Sequence, residues 1–309
     1  MGGVQWNFLK SGNFSIERAE GVYLYTSDGR EIIDAAGGAI VSNVGHGRQR
    51  VADAVAEATR DCSYVVPPWL TPSRESLIET LREDWLPETL TRAHFTSGGS
   101  ESNEVAIKLA LHYQQAIGQH QRTKIIGRSV SYHGTTLVTA SLSGHPMRKK
   151  GLEGALPKFC EVDTPYPLRS PLGPHHEDTG KYYANLLREE IQKQGPETVA
   201  AFLAEPITGT SGGAIVPPDD YWPLVRGICD EFGVVLIIDE VMTGFGRTGS
   251  TFGYQHWPIE PDILPPRSAP ASITSATPSG RFAGIKRLTR RPTIIPPIVG
   301  TPTTCHQGN

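Results

Sequence analysis

The stretch GVVLIIDEV, residues 233–241, decides the fold class of this 309-residue chain. Its apolar residues stand together without interruption and are followed at once by an acid, Asp239. An unbroken apolar run of this length is typical of a strand that is buried on both faces of a parallel sheet. TVAAFLAEP, residues 198–206, has the same form and also ends in an acid, Glu205. The segment DDYWPLVRGICDEFG, residues 219–233, is the predicted crossover helix between these strands, so the pattern indicates an α/β fold.

Shorter patterns nearer the N-terminus support the same fold. Alternating apolar residues on both sides of the turn SDGR predict a hairpin over residues 21–34. Two further strands are predicted at 93–96 and 124–128. Helices are predicted at 50–60, 73–85 and 101–115. Ser73 is the predicted N-cap of the second of these helices.

The composition excludes several classes of protein. The net charge is -3, which gives no indication of a nucleic-acid or membrane partner. The apolar runs are too short to span a bilayer, and the first residues do not have the pattern of a signal peptide. None of the cysteines has the spacing of a metal site: Cys62, Cys160, Cys229 and Cys305. The sequence therefore predicts a reduced, cytoplasmic protein without structural zinc.

The character of the sequence changes at residue 264. No acidic residue follows Asp262, and the six basic residues beyond it leave residues 1–263 with a charge of -9. The segment 264–309 also contains eight prolines and shows neither a helical nor an alternating apolar period. Such a composition cannot bury enough apolar surface to offset the entropy of ordering the chain. We expect residues 264–309 to be disordered, and the abrupt change suggests that this segment is out of frame.

Polar motifs follow three of the predicted strands. TSGGSE (96–101), SYHG (131–134) and DEV (239–241) all stand where a strand ends. The carboxyl ends of parallel strands meet at one edge of a sheet, and ligands of such sheets bind there. We therefore expect these motifs to form one site.

Each motif taken alone has a functional and an ordinary interpretation. Gly98, Gly99 and Ser100 resemble a turn that directs backbone N–H groups at an anion, but a tight turn with Ser100 as N-cap explains them equally well. Asp239 resembles the acid of a Walker B motif, yet the chain contains no GxxxxGK[ST] sequence, which argues against a nucleotide hydrolase. It could instead hold a cationic ring nitrogen or cap a helix. Tyr132 could stack on a flat cofactor or pack in the core.

The motifs together resemble a known family. GVYLYTSDGREIIDAAGGAIVSNVGHG, SGGSESNEVAIKLA, SYHGTT, AEPITGTSGGAIVPP and LIIDEVMTGFGRTGSTFGYQH occur in this order over residues 15–263. This series resembles the class III aminotransferases, which use pyridoxal 5'-phosphate (PLP) and have fold type I. The resemblance implies a three-layer α/β/α fold with a mostly parallel sheet. It also implies domain boundaries: residues 1–60 belong to the small domain, residues 61–263 form an incomplete PLP-binding large domain, and 264–309 is a tail.

The resemblance assigns roles to individual positions. Gly99 and Ser100 correspond to the cup that holds the phosphate of PLP. Tyr132 corresponds to the residue that stacks on one face of the pyridine ring, with Val241 on the other face. Asp239 corresponds to the partner of the ring nitrogen, whose charge keeps the ring an electron sink.

Four other positions have less definite roles. Glu205 corresponds to an acid of the family's site, and His133 belongs to the cofactor-binding motif SYHG. Met242 stands where many relatives have a polar residue, and Arg247 corresponds to a structural or interfacial residue. Trp69 stands where relatives shape the substrate entrance, which suggests an ω-amine or a neutral amino acid as substrate.

One expected residue is missing. In the family, a lysine that follows the PDI motif within several residues forms the Schiff base with PLP. Here Ile263 is followed by LPPRSAPASITSATPSG, and the next lysine is Lys286, at a different distance and in an unrelated context. We therefore expect no catalytic lysine in this chain. The family continues well beyond this point, so the chain resembles a truncated member.

These observations predict an aminotransferase-like protein that is inactive as written. Its intact relatives would transfer an amino group from an amine or amino acid to a keto acid. The alternative is a non-catalytic protein that binds PLP or associates with a full-length homologue. The family is homodimeric, but the loss of the C-terminal part makes dimerisation of this chain doubtful.

Overall fold

The N-terminal part of the chain forms a small antiparallel sheet. The structure, a computed structural model, describes residues 15–66 and 68–266 and the backbone of 281–286. Its first three strands are β1 (Ile16–Glu20), β2 (Tyr23–Thr26) and β3 (Glu31–Ile33). β2 pairs with both of its neighbours, and its pairing with β3 confirms the hairpin predicted over 21–34.

Helical segments follow this sheet. They are α1 (Gly37–Ile40), α2 (Gln49–Cys62), α3 (Pro72–Thr80) and a π-helical turn at Leu81–Trp85. The predicted start of α3 was wrong, because Thr71 rather than Ser73 is the N-cap. The hydroxyl of Thr71 accepts a hydrogen bond from the backbone N–H of Arg74, and Pro72 occupies the first helical turn, where its missing N–H costs nothing.

A seven-stranded sheet forms the centre of the structure. Its strands in chain order are β4 (Leu90–Thr96), β5 (Lys124–Arg128), β6 (Cys160–Val162), β7 (Val199–Ala204), β8 (Val235–Ile238), β9 (Ile263–Leu264) and β10 (Arg281–Lys286). In space the order is β4-β10-β9-β8-β7-β5-β6. The neighbouring strands β9, β8, β7, β5 and β6 are all parallel, as predicted from the apolar runs. β10 is antiparallel to both of its neighbours, so β4 runs in the same direction as the parallel strands.

Helices cover both faces of this sheet. They are α4 (Gly99–Ala116), α5 (Leu137–Leu142), α6 (Pro146–Lys149), α7 (Thr179–Gln194) and α8 (Tyr221–Phe232). Phe202 and Leu236 pack with α7 and α8 in one buried cluster. Their strand neighbours Leu203 and Ile237 face the opposite way and pack with α4 in a second cluster. This alternation along fully buried strands gives the three-layer α/β/α arrangement that the resemblance implied.

The sheet brings the polar motifs to one edge. β4, β5, β7 and β8 end at Thr96, Arg128, Ala204 and Ile238, and these strands run in the same direction. The motifs that follow them therefore emerge together at the carboxyl edge of the sheet.

The disorder predicted for residues 264–309 falls mostly outside the described residues. Two parts of that segment are described, and both differ from the prediction. Leu264 completes β9, and residues 281–286 form β10. The physical reason is backbone pairing. Residues 281–286 lie between β4 and β9 and pair with both, and without this segment each of these two strands would have an unpaired edge at that side.

None of the helices in the described parts of the chain has the length and the apolar character needed to cross a membrane.

Candidate cofactor-binding site

A cavity of about 450 Å³ lies at the carboxyl edge of the large sheet. Its volume falls within the range that small-molecule sites occupy. The walls come from the N-terminal segment and from the loops after β4, β5, β7 and β8. The lining residues are Ala39, Ile40, Val41, Gly99, Ser100, Asn103, Tyr132, His133, Gly134, Arg148, Thr210, Asp239, Val241 and Met242.

Asp239 is the charged group at the closed end of this cavity. Its side chain is only 2% exposed. One carboxylate oxygen, Oδ2, lies 2.7 Å from His133 Nδ1 and accepts a hydrogen bond from Asn103 Nδ2 at 2.8 Å. The other, Oδ1, accepts from the backbone N–H of Val241 at 3.0 Å. Three donors therefore fix the orientation of the carboxylate.

Asn103 is a site residue that the sequence analysis did not identify. It is fully buried on α4 and donates through Nδ2 both to Asp239 and to the carbonyl oxygen of His133. Its own Oδ1 has no hydrogen-bond partner among the described residues. A signal was present in the sequence, because Asn103 shares one helical face with Ala106 and Ala110, which are buried. A polar side chain on such a small-residue face marks a buried hydrogen-bonding position.

The glycine-rich turn opens α4 toward the cavity. Gly98 is the N-cap and the helix begins at Gly99, so the alternative in which Ser100 caps the helix was wrong. Ser100 lies in the first turn, and its hydroxyl accepts a hydrogen bond from the backbone N–H of Thr135 at 3.0 Å. This helix has 18 residues, and its first backbone N–H groups and its dipole favour an anion at this end of the cavity.

Gly134 allows two loops to approach each other closely. A Cβ atom at this position would overlap Ser100 Oγ and would lie 2.8 Å from Ser100 Cα and 2.6 Å from Thr139 Oγ1. The backbone φ of Gly134 is 142°, which side chains rarely adopt. The loop after β5 therefore packs directly on the first turn of α4 because residue 134 has no side chain.

Glu205 supports the site from beneath, although it does not line the cavity. It is 1% exposed. Its carboxylate accepts hydrogen bonds from the backbone N–H of Tyr132 at 3.3 Å and of Gly209 at 3.0 Å. Burial raises the pKa of Glu205, while the nearby charges of His133 and Arg128 oppose that effect. The acid thus holds the loop that carries Tyr132 in place.

Glu240 follows Asp239 directly and has a different task. It is fully buried and accepts hydrogen bonds from the backbone N–H groups of Gly253 and Tyr254 and from the hydroxyl of Thr243, at 2.9, 2.7 and 2.6 Å. Burial raises the pKa of Glu240 to about 7 despite these hydrogen bonds. The side chain therefore ties the segment after β8 to the turn at 253–254.

Arg247 connects the last part of the site with its N-terminal wall. Its guanidinium donates to the carbonyl oxygens of Gly244 at 2.6 Å and of Ile40 at 3.4 Å. Ile40 lines the cavity and has a positive φ of 66°, which is strained for a β-branched residue. Arg247 thus links the segment after β8 to this strained turn.

The structure brings six of the seven predicted cofactor-binding residues into one cavity wall. These are Gly99, Ser100, Tyr132, His133, Asp239 and Val241, whereas Glu205 lies behind the wall. Met242 also lines the cavity, but Trp69 does not and is 65% exposed.

The chemistry of these residues fits PLP. The site offers a buried carboxylate for a ring nitrogen, a helix N-terminus for a phosphate and an aromatic ring beside the cavity. It also contains two buried polar atoms, Asn103 Oδ1 and His133 Nε2, that have no partner among the described residues and are available to a bound polar group.

Comparison with known proteins identifies the relatives of this chain. The family model for class III aminotransferases matches residues 9–266. The chain is 36% identical over 252 residues to the putrescine–pyruvate aminotransferase of Pseudomonas aeruginosa, which covers 81% of this chain and 55% of the relative. It is 37% identical over 252 residues to the mitochondrial gamma-aminobutyrate transaminase 1 of Oryza sativa subsp. indica, covering 81% of this chain and 49% of the relative. The chain thus spans about half the length of the curated relatives it matches.

Solved structures agree with this result. An (S)-enantioselective ω-transaminase from Thermomicrobium roseum superposes with a TM-score of 0.82 at 35% identity, over 90% of this chain and 61% of the other. An amine transaminase from an uncultivated Pseudomonas species, solved in its PLP-bound form, superposes with a TM-score of 0.84 at 31% identity, over 93% of this chain and 66% of the other.

Proposed function

Because this chain belongs to the class III aminotransferase family, we propose that it binds PLP in the cavity at the carboxyl edge of its large sheet, without a covalent bond to the protein. The cofactor of the family is PLP. The observation that carries the proposal is the buried carboxylate of Asp239, held by Asn103, His133 and the backbone of Val241 at the closed end of that cavity.

Each residue of the site has a definite task in this proposal. When bound, PLP supplies an electron sink for the carbon that loses its proton. Asp239 keeps the ring nitrogen protonated through its negative charge. The first turn of α4, with Gly99 and Ser100, binds the phosphate, and Tyr132 and Val241 hold the ring between them. Glu205 fixes the loop that carries Tyr132.

The reaction of the family transfers an amino group between an amine or amino acid and a keto acid. The names of the relatives mention putrescine, pyruvate and gamma-aminobutyrate, so we propose that the substrates of this site are small amines or ω-amino acids together with a keto acid. The domain boundary at residue 60, as predicted from the sequence, is part of the same proposal, whereas the predicted boundary at residue 263 would divide β9 and separate β10 from the sheet with which it pairs.

None of the described residues that line the cavity is a lysine. The sequence contains no lysine between Lys193 and Lys286. β10 pairs antiparallel with β4, so that Arg281 lies opposite Thr96 at the site and Lys286 lies opposite Leu90. Five residues of extended strand separate these two positions by roughly 17 Å. Lys286 therefore belongs to the opposite edge of the sheet, and we propose that this chain does not catalyse transamination by itself.

The experiment is a titration of the purified full chain with PLP, followed by reduction with borohydride and intact mass measurement. We expect saturable binding, seen in the absorbance of the cofactor, that dialysis reverses and that leaves no added mass after reduction. An adduct on Lys286 or on another lysine would contradict non-covalent binding. Absence of binding in the wild-type chain would contradict the whole proposal.

A second candidate function is association with a full-length homologue. The observation that favours it is a group of exposed apolar side chains just before α3: Tyr64, Trp69 and Leu70 are 71%, 65% and 55% exposed. Such a patch is typical of an interaction surface. Size-exclusion chromatography of this chain with an intact class III homologue tests the idea, and elution of the two as separate species at micromolar concentration would exclude it.

A further inference from the structure

Arg148 lies at the mouth of the cavity and has no role in the site described above. It belongs to the short helix α6, its side chain is exposed, and it lines the cavity. Its guanidinium carbon lies 4.3 Å from the centre of the Tyr132 ring. This distance is within the range of a cation–π contact, which holds the guanidinium at the aromatic wall.

The charge of Arg148 is not neutralised by a neighbouring acid. Among the described residues, Arg148 makes no ion pair, whereas the next residue, Lys149, pairs with Glu161 at 2.9 Å. Arg148 is also the only lysine or arginine among the described residues that line the cavity. A cation that is held by an aromatic ring and lacks an acidic partner is available to an anionic ligand.

The two charges of the cavity lie in different environments. Asp239 is almost completely buried, and Arg148 is exposed to solvent. A ligand that presents a cation to Asp239 and an anion toward the opening would satisfy both charges. The planar guanidinium matches a carboxylate in particular, because it can donate two parallel hydrogen bonds to the two oxygens.

We propose that Arg148 binds the carboxylate of the keto acid or amino acid that enters this site. The inference rests on the proposed function, since it names the group that recognises the substrate of the same cavity. A phosphate is also an anion that a guanidinium can bind with two hydrogen bonds. The first turn of α4 already provides a separate place for the phosphate of PLP, which leaves Arg148 for the second anion.

The test is isothermal titration of the full chain, with and without PLP, using pyruvate and its uncharged ester methyl pyruvate as probes. We expect the wild-type chain to bind pyruvate more tightly than the ester, and Arg148→Met to weaken pyruvate binding by about tenfold, the effect of losing a hydrogen bond to a charged group. Binding of the ester should not change. Arg148→Lys, which keeps the charge but loses the planar donor pair, should recover part of the affinity for pyruvate.

Lys150→Met is the matched control, because it removes one positive charge from an exposed position two residues away that does not line the cavity. Pyruvate binding should be the same in this variant as in the wild type. Equal binding of pyruvate by Arg148→Met and the wild type would overturn the proposal, as would a wild type that does not discriminate pyruvate from the ester.

A third arm separates the two possible anions. Titration with PLP and with pyridoxal, which lacks the phosphate, shows whether Arg148→Met weakens binding of the phosphorylated form alone. That result, with unchanged pyruvate binding, would assign Arg148 to the phosphate and overturn the carboxylate assignment. If the wild type does not bind PLP, the proposed function fails, and the pyruvate titration without PLP still decides the role of Arg148.

Discussion

Asp239 provides the buried charge of the proposed site. Its oxygens are held by donors from three different segments: α4, the loop after β5 and the backbone just beyond β8. A buried carboxylate of this kind is costly unless its hydrogen bonds are complete. These hydrogen bonds come from the protein itself, so the fold fixes the position of the charge.

Replacement of Asp239 by Asn removes this charge while keeping the shape of the side chain. We expect Asp239→Asn to weaken PLP binding by about tenfold or more, because a protonated ring nitrogen loses its charged partner. The measurement is the dissociation constant from the absorbance titration at neutral pH. Asp219→Asn, at an exposed position outside the cavity, is the matched control and should bind PLP like the wild type. Equal affinity of Asp239→Asn and the control would contradict the assigned role of Asp239.

Gly134 offers a steric test of the same site. We expect Gly134→Ala to displace Ser100 or Thr139, because the new Cβ has no room, and to lower the free energy of unfolding by about 1–3 kcal/mol. PLP binding should weaken as well, since the first turn of α4 moves. Urea unfolding and the PLP titration measure the two effects.

The control for this substitution is Gly154→Ala. A Cβ atom at Gly154 meets nothing within 4 Å, and the backbone there is not in the left-handed region. Its stability should stay within about 0.5 kcal/mol of the wild type, which is usual for surface substitutions. A similar loss of stability in both variants would show that the close approach at Gly134 is unimportant.

The elements that the sequence predicted well are those whose environment is uniform along their length. β7 and β8 are buried at every position, so their apolar runs are unbroken and were recognised. α7 was missed although its sequence contains a signal, because Tyr183, Leu187 and Ile191 recur every four residues and are all buried. β9 has two residues, and no pattern of that length identifies a strand.

The site was predictable at the ends of strands and less so elsewhere. Asp239 and Tyr132 stand in motifs at strand ends, where the parallel topology alone implies a site. Asn103 and Asp239 are 136 residues apart in sequence, and only the packing of α4 on the sheet brings them together. Arg148 was also missed, since a basic residue on a short exposed helix ordinarily indicates nothing more than a solvated surface.

The N-terminus of α3 provides a test at the level of a single helix. We expect Thr71→Ala to lower the free energy of unfolding by about 1 kcal/mol, because the first turn loses the oxygen that accepts from Arg74. Ser73→Ala should cost less, since Ser73 lies inside the helix and its hydroxyl contacts only that of Thr71. Urea unfolding of the two variants under the same conditions compares them. A larger loss for Ser73→Ala would support the cap that the sequence suggested instead.

The stability of the entire fold depends on acids that are buried beneath the site. Glu205 and Glu240 both have a raised pKa in the folded chain, caused first by burial, and that of Glu240 is about 7. Asp28, Asp34 and Glu231 have lowered pKa values in the folded chain. Their contribution to stability changes at acidic pH and is complete once the pH exceeds their ordinary pKa values. Glu240 therefore contributes a change in stability between its ordinary pKa of 4.5 and about 7, and Glu205 contributes in the same direction.

The sign of this change follows from proton binding. The ordinary pKa of Glu240 is 4.5, so between pH 4.5 and about 7 the folded state holds a proton that the unfolded state has released. The free energy of unfolding therefore falls as the pH rises through this window, and it levels off above pH 7. The expected loss attributable to Glu240 is on the order of 3 kcal/mol. Urea unfolding at pH 5, 6, 7 and 8 measures it.

Glu240→Gln separates the titration from the hydrogen bonds. The amide has a single accepting oxygen, so it cannot keep both the bond from Tyr254 at the Oε1 position and the bonds from Gly253 and Thr243 at the Oε2 position, and the variant should be less stable than the wild type at pH 5. Its stability should nevertheless fall less steeply between pH 5 and 7, because position 240 no longer releases a proton. If the variant and the wild type lose the same free energy across that range, Glu240 is not the titrating group, and the remaining dependence belongs to Glu205 or to groups outside the site.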